Sequence, residues 1–343
     1  MEKNNPSSVK RITLVIAAVI VGIALILGIA LAVFIGVMRL PVSSYYRASE
    51  KAFIIPGLHD RFVPQGFCYD EAREHFIVSG YSSEKEASSV YLVNRSSGET
   101  VKRIFLAKAN GEAFKGHAGG IDFYGDFVYV AGSTDNCLYV YSYPELLNAE
   151  DGASIGCIGR FSLEVSKTDF VRASFVTVHG DTLTVGEFYS ESLAESHQMA
   201  VDDGKIHGAI AVSFPLSDDE ELGIVATPTR VYSLPEKVQG ICFDGDDIYL
   251  STSYGLSHSY IYEFDSSKLS EKKKVKILGH DLPVYYLDTV AMTGKYKAPP
   301  MAEEAVMIDG RFYVMCESAS QKYIFGKFTG GKWCYKTDLD QMK

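Results

Sequence analysis

Basic charge is scarce in this sequence: 33 Lys and Arg stand against 43 Asp and Glu, for a formal net charge of −10. Binding to phosphate backbones needs clustered Lys and Arg, so the balance excludes nucleic acid as a partner. The one basic run, Lys272-Lys273-Lys274, reads as a solvated turn. The chain also has no GxSxG elbow, P-loop, HExxH helix or Rossmann glycine pattern. No nucleophile, phosphate cradle or zinc site therefore announces itself, and enzymatic activity stays open. The cysteines (Cys68, Cys137, Cys157, Cys242, Cys316, Cys334) include no CxxC pair, which removes the usual zinc and redox spacings. Most lie in apolar runs, where Cys behaves as a small buried hydrophobe.

What is present begins with an uncharged run from Ile12 to Met38. It exceeds the roughly 20 residues needed to cross a bilayer and is too long for the apolar region of a signal peptide, about 7–15 residues. Lys3, Lys10 and Arg11 precede it, and Arg39 and Arg47 follow. The expected arrangement is a cytoplasmic tail (1–11), a transmembrane signal anchor (12–38), a linker (39–50) and an extracytoplasmic domain (51–343), single-pass in the cell membrane. Ala24, Gly28, Ala32 and Gly36 share one helix face, a small-residue ridge that predicts weak self-association of the span.

The remainder repeats. "QGFCYD", "GGIDFYGD", "ASFVTVHGD", "QGICFDGD" and "EEAVMIDG" each precede a second alternating run ("HFIVSGY", "FVYVAGS", "TLTVGEFY", "IYLSTSY", "RFYVMCESA"). The equivalent positions are Gly66, Gly120, Ser174, Gly240 and Glu304, spaced by 54 to 66 residues. Gly-Asp or Asp-Gly joins the two runs in four of the copies, a hairpin signal. A third run follows each hairpin, the last being "KYIFGKFTGG" at 322–331. A fourth follows at "RIFLA", "RFSLE", "VYSLP" and "VYYLD" (284–288), while the fifth copy takes its fourth run from the front of the domain, "AFIIPG" at 52–57. Four strands per repeat, closed by a strand from the other terminus, predict an all-β, five-bladed β-propeller, with six blades as the alternative.

Strand alternation then locates a site. The long connections (about 107–118, 190–207, 289–302) fall on one face, and 190–207 carries His197 and His207. Loop-rich rims are where binding residues gather. Because the latch strand runs toward that face, the anchor is expected beneath the opposite one. At the entrances of the innermost strands stand Gln65, His117, Arg172, Gln239 and Glu303; at the ends of the second strands stand Tyr81, Ser133, Glu187, Tyr254 and Glu317. Glu303 and Glu304 are adjacent, so alternation allows only Glu303 to face the channel. Carboxylates and amides (Glu187, Gln239, Glu303) suit a hard cation such as Ca²⁺. Carboxylates beside aromatics suit sugars and their cleavage, with Glu187, Glu303 or Glu317 as acid or base.

The anchor together with "PQGFCYD", "GHAGGIDFYGDFVYVAG", "VGEFY", "VQGICFDGDDIYLSTSYG" and "AEEAVMIDGRFYVMCESA" resembles membrane-anchored propeller proteins of Gram-positive bacteria. More loosely it resembles the gluconolactonase-like and quinoprotein-like propeller superfamily. That resemblance implies a propeller and a divalent cation in its channel, without a matching ligand set. Three functions follow as expectations. The first is a surface module binding a small molecule, glycan or peptide at the channel mouth. The others are a metal-dependent hydrolase or lactonase and a scaffold for an envelope protein complex.

Overall fold

The computed structural model describes residues 6–191 and 197–343. Residues 192–196 of the long 190–207 connection, and the first five of the tail, lie outside the described residues. Helix α1 (Pro6–Arg39) covers the apolar run and leaves its large apolar side chains exposed. At about 1.5 Å per residue it exceeds the roughly 30 Å of a hydrocarbon core.

From residue 49 on, the chain builds five blades, each with four antiparallel strands at its heart, beside short two-stranded sheets and parallel additions to the outer strands. Their innermost strands are Phe62–Asp70, Ala118–Tyr124, Phe175–His179, Val238–Asp244 and Ala302–Ile308. Each pairs with the next segment through a short turn; Asp309 and Gly310 both have positive φ (52° and 68°), the geometry favoured in tight hairpins. Five apolar clusters separate the blades, one per junction, including one between blades five and one (Phe67, Val78, Tyr313, Met315, Cys334). The ring is therefore closed with five blades. All six cysteines are buried and free. The expected latch is present: Ser49–Ile54 pairs antiparallel with Trp333–Thr337 as the outer strand of blade five.

Strand assignments in blades three, four and five differ from expectation. Blade four is completed by Met292–Ala298, paired with Ser259–Asp265. The "VYYLD" segment instead ends His280–Tyr286, which adds in parallel to the outer strand of blade three, Arg230–Leu234. Both segments suit a strand, and the free edge of blade three captured the first. In blade five, 322–331 is not the third strand; it holds the short helix Gly326–Thr329, and Trp333–Thr337 takes that place.

The apolar helix also joins elsewhere than expected. Helix α2 (Ser43–Arg47) and the residues before it run along the wall between blades four and five, burying Val42 and Tyr45 among Tyr249, Tyr296, Phe312 and Tyr335. Tyr46 Oη donates to the Thr329 carbonyl (2.9 Å), and Arg39 stacks over the Tyr46 ring at 4.3 Å. The helix thus meets the side of the propeller, because the segment before the latch folds back along the wall instead of continuing the line of the strand.

Candidate functional site at the mouth of the ring

Four of the five innermost strands share a defect that builds the site. Antiparallel register breaks between Pro64 and Gly66, Ala118 and Ile121, Val238 and Gly240, and Ala302 and Ala305. Each break is a bulge at the same height, and a bulge releases its residues from strict alternation. Gln65, Gln239 and Glu303 sit in these bulges and line one cavity. The same bulge corrects the expectation that only one of Glu303 and Glu304 turns inward. Glu303 lines the cavity, while Glu304 enters the axis below it.

Glu304 fills the centre of the ring. Its carboxylate accepts the backbone N–H groups of Phe67 (2.7 Å), Ile121 (3.0 Å) and Val176 (3.4 Å), one each from blades one, two and three. The glycines at the equivalent positions make room: a Cβ on Gly240 would lie 2.8 Å from Glu304 Cα, and one on Gly120 would lie 2.5 Å from its Oε1. The Gln-Gly pairs at 65–66 and 239–240 thus divide two tasks. The amide reaches the mouth, and the glycine lets the strands crowd the axis.

The cavity above measures about 620 Å³. Of the residues expected there, Gln65, Tyr81, His117, Ser133, Arg172, Gln239, Tyr254, Glu303 and Glu317 all line it. Glu187 does not. Its carboxylate accepts from the backbone N–H groups of Arg172 (3.1 Å) and Ile210 (3.3 Å) and meets His197 Nδ1 at 3.0 Å, so it braces blade three and the following loop. His207 is likewise engaged away from the mouth, with its Nδ1 2.9 Å from Ser233 Oγ.

The floor is acidic. Gln65 Nε2 donates to Glu317 Oε2 (3.2 Å) and to the Pro64 carbonyl (2.7 Å), which orients it. Burial pushes the Glu317 carboxyl up to about 7, against the opposing pull of Lys322 and its hydrogen bonds. Glu303 is raised well above the carboxylate range, first by burial and then by the charges of Glu317 and Glu304. Only 3% exposed, it has an Oε1 without a hydrogen-bond partner among the described residues. Burial, aided by Lys322, pulls His117 down to about 4, so the imidazole is neutral at physiological pH. Its ring lies 4.7 Å from that of Tyr81.

Lys322, Tyr323, Phe188 and Met301 also line the cavity and were not anticipated. Lys322 Nζ donates to Tyr81 Oη (2.6 Å) and lies over the rings of Tyr81 and Tyr323. Assigning 322–331 to a strand hid these residues; Gly326, Gly330 and Gly331 in ten positions were the signal for a loop. For a cation, the set Glu187, Gln239 and Glu303 does not meet in one place, because Glu187 is turned into blade three while Gln239 and Glu303 line the mouth. No group of three or more His, Cys, Asp or Glu fit to hold a metal occurs among the described residues.

Neither a protein-family profile nor a curated protein matches the sequence. Several solved structures are similar in fold. A nidogen/laminin complex aligns at TM-score 0.39 and 10% identity, over 75% of this chain and 73% of that one. The PQQ-bound aldose sugar dehydrogenase of Streptomyces coelicolor aligns at 0.38 and 13%, over 78% and 76%. BamB of Moraxella catarrhalis aligns at 0.34 and 10%, over 75% and 82%. At such scores the neighbours carry no argument about what the mouth binds.

Proposed function

We propose that this chain is a membrane-anchored, extracytoplasmic β-propeller that binds a small polar ligand in the mouth of its ring. The observation that carries the reading is convergence. Side chains from all five blades meet in one cavity of about 620 Å³, a size suited to a small ligand. At its floor a buried carboxyl oxygen lacks a partner among the described residues, and a buried polar group without a partner is costly unless something completes it. Tyr81, Tyr254, Tyr323 and Phe188 offer apolar faces, and the amides and charged groups fix orientation.

The test is to purify the full chain in detergent and identify co-purifying small molecules by mass spectrometry, beside a Tyr254→Ala, Glu317→Gln variant. A compound held by the wild type and lost from the variant is expected; identical extracts from both would refute the reading. Protease added to intact cells should remove the propeller epitope, and protection of that epitope would reverse the proposed topology.

Glu303 and Glu317 also favour a second reading, general acid–base catalysis of hydrolysis. Burial keeps a proton on one acid near neutral pH, as a general acid needs. The two readings separate on whether the recovered compound is consumed. Calcium or EDTA added to the purified chain, read by melting temperature, tests whether a cation belongs to either.

A further inference from the structure

Beside the end of α1 the propeller turns large apolar side chains outward. Phe328 is 51% exposed, Ile324 55% and Leu40 73%. The short helix Gly326–Thr329, which carries Phe328, packs against α1, and Tyr46 Oη holds its last carbonyl. Ile35, Gly36 and Met38, in the last turns of the apolar run, are partly buried there. Phe328 and Ile324 thus stand beside the end of the span. Ile324 also has a φ of 48°, which a β-branched residue rarely adopts. The chain holds a strained backbone there around a side chain that the core does not use.

The charge around these residues runs against that of the whole chain. In a protein of net charge −10, segments 38–49 and 318–337 contain Arg39, Arg47, Lys322, Lys327, Lys332 and Lys336 and no Asp or Glu. Lys336 is paired with Glu50, and Lys322 is held by Tyr81 at the mouth. The acids that follow are drawn elsewhere, Asp338 to Arg311 and Asp340 to Lys343. Arg39, Lys327 and Lys332 are left without a salt bridge among the described residues. Arg39 and Lys332 instead lie over the rings of Tyr46 and Trp333. Apolar tips, aromatic rings and unpaired cations together are the composition of a membrane–water interface.

We infer that this wall of blade five docks on an anionic lipid surface. Phe328, Ile324 and Leu40 enter the boundary between headgroups and acyl chains, and Arg39, Lys327 and Lys332 meet lipid phosphates. The inference rests on α1 crossing the membrane and does not depend on what the mouth binds. Continuity selects the occupant: the patch adjoins the apolar run of α1, so the bilayer that holds the span is already beside it. Tyr323 lines the mouth and Ile324 follows it directly. Docking therefore brings the blade-five rim of the mouth close to the headgroups, and not away from the bilayer as strand order alone suggests.

All six native cysteines are buried, so an added surface cysteine can be labelled selectively. The test places an environment-sensitive fluorophore on Phe328→Cys in the full chain, with Asp219→Cys, exposed on blade three, as the control. Both are reconstituted in vesicles of phosphatidylcholine and phosphatidylglycerol. Lipid spin-labelled near its headgroup should quench the label at 328 at least threefold more than the label at 219. Vesicles of phosphatidylcholine alone, or the added changes Lys327→Glu and Lys332→Glu, should cut that difference at least twofold. A label on Ile324→Cys gives the same reading where the 328 variant folds poorly. Equal quenching at the two sites, or quenching indifferent to both lipid charge and the lysines, overturns the inference. So does a label at 328 shielded from lipid whose emission shifts to the blue as more protein is added per vesicle, which identifies a second copy as the occupant. Chain that leaves the vesicles in alkaline carbonate refutes the anchoring itself, whereas anchored chain with equal quenching refutes only the docking.

Discussion

Glu303 and Glu304 are neighbours in sequence and both buried, yet their situations are opposite. Glu304 accepts hydrogen bonds from three other blades and occupies space that glycines vacate. Glu303, one residue earlier and inside the same bulge, opens onto the cavity with an oxygen that nothing in the described protein satisfies. Burial raises the pKa of both acids, so titration alone does not tell them apart. Partners do. A buried acid whose oxygens are met by backbone N–H groups holds the ring together, and one left with an unmet oxygen awaits something from outside.

The contrast breaks first at Glu304. Glu304→Ala removes the acceptor for three buried N–H groups and empties the axis; at about 1–3 kcal/mol per orphaned group, less partial relaxation and water entry, a loss on the order of 4 kcal/mol is expected. Chemical denaturation of the full chain should show it, and near-wild-type stability would remove Glu304 from its central role. Gly240→Ala drives a Cβ to within 2.8 Å of Glu304 Cα. Because the clash is with backbone, a loss of about 1–3 kcal/mol should appear in the same assay.

A smaller effect concerns pH. Asp122 accepts the backbone N–H groups of Val178 (2.6 Å) and Phe123 (2.9 Å), but burial outweighs them and pushes its carboxyl up to about 7 from an ordinary 3.8. Cys68 and Glu304 lie beside it. The folded chain then holds a proton that the unfolded chain releases near pH 4, so this group's stabilisation is full below about pH 4 and lost by about pH 7. Melting temperature should fall across that window in the wild type and fall less in Asp122→Asn. Equal slopes would show that Asp122 is not the group responsible. Smallest of all, Glu303→Gln should leave stability within about 1 kcal/mol of wild type, since the amide keeps the shape and removes a buried acid. A large loss would move Glu303 into the structural class with its neighbour.

Much of this was legible in the chain before folding. The recurring Gly-x-apolar runs marked the innermost strands, and their entrances and exits named Gln65, Tyr81, His117, Arg172, Gln239, Tyr254, Glu303 and Glu317 as sharing one rim. Period-two alternation is local, so it survives without knowledge of the partners. Glu187 escaped because the same alternation does not say whether a strand-end acid meets a cavity or its own blade's backbone. Lys322 and Tyr323 escaped because a repeat template was carried into a connection that only resembles a strand.

The sequence by itself determined the apolar span, the five copies, the closing strand from the front of the domain and most of the mouth. Those are consequences of local pattern and of chain order. Only the tertiary structure decided which segments complete blades three, four and five, how residues 40–48 lie along the wall, and what separates Glu303 from Glu304. Edge pairing is a competition between distant segments of similar strand character. The fate of a buried carboxylate depends on which backbone N–H groups the closed ring brings within reach.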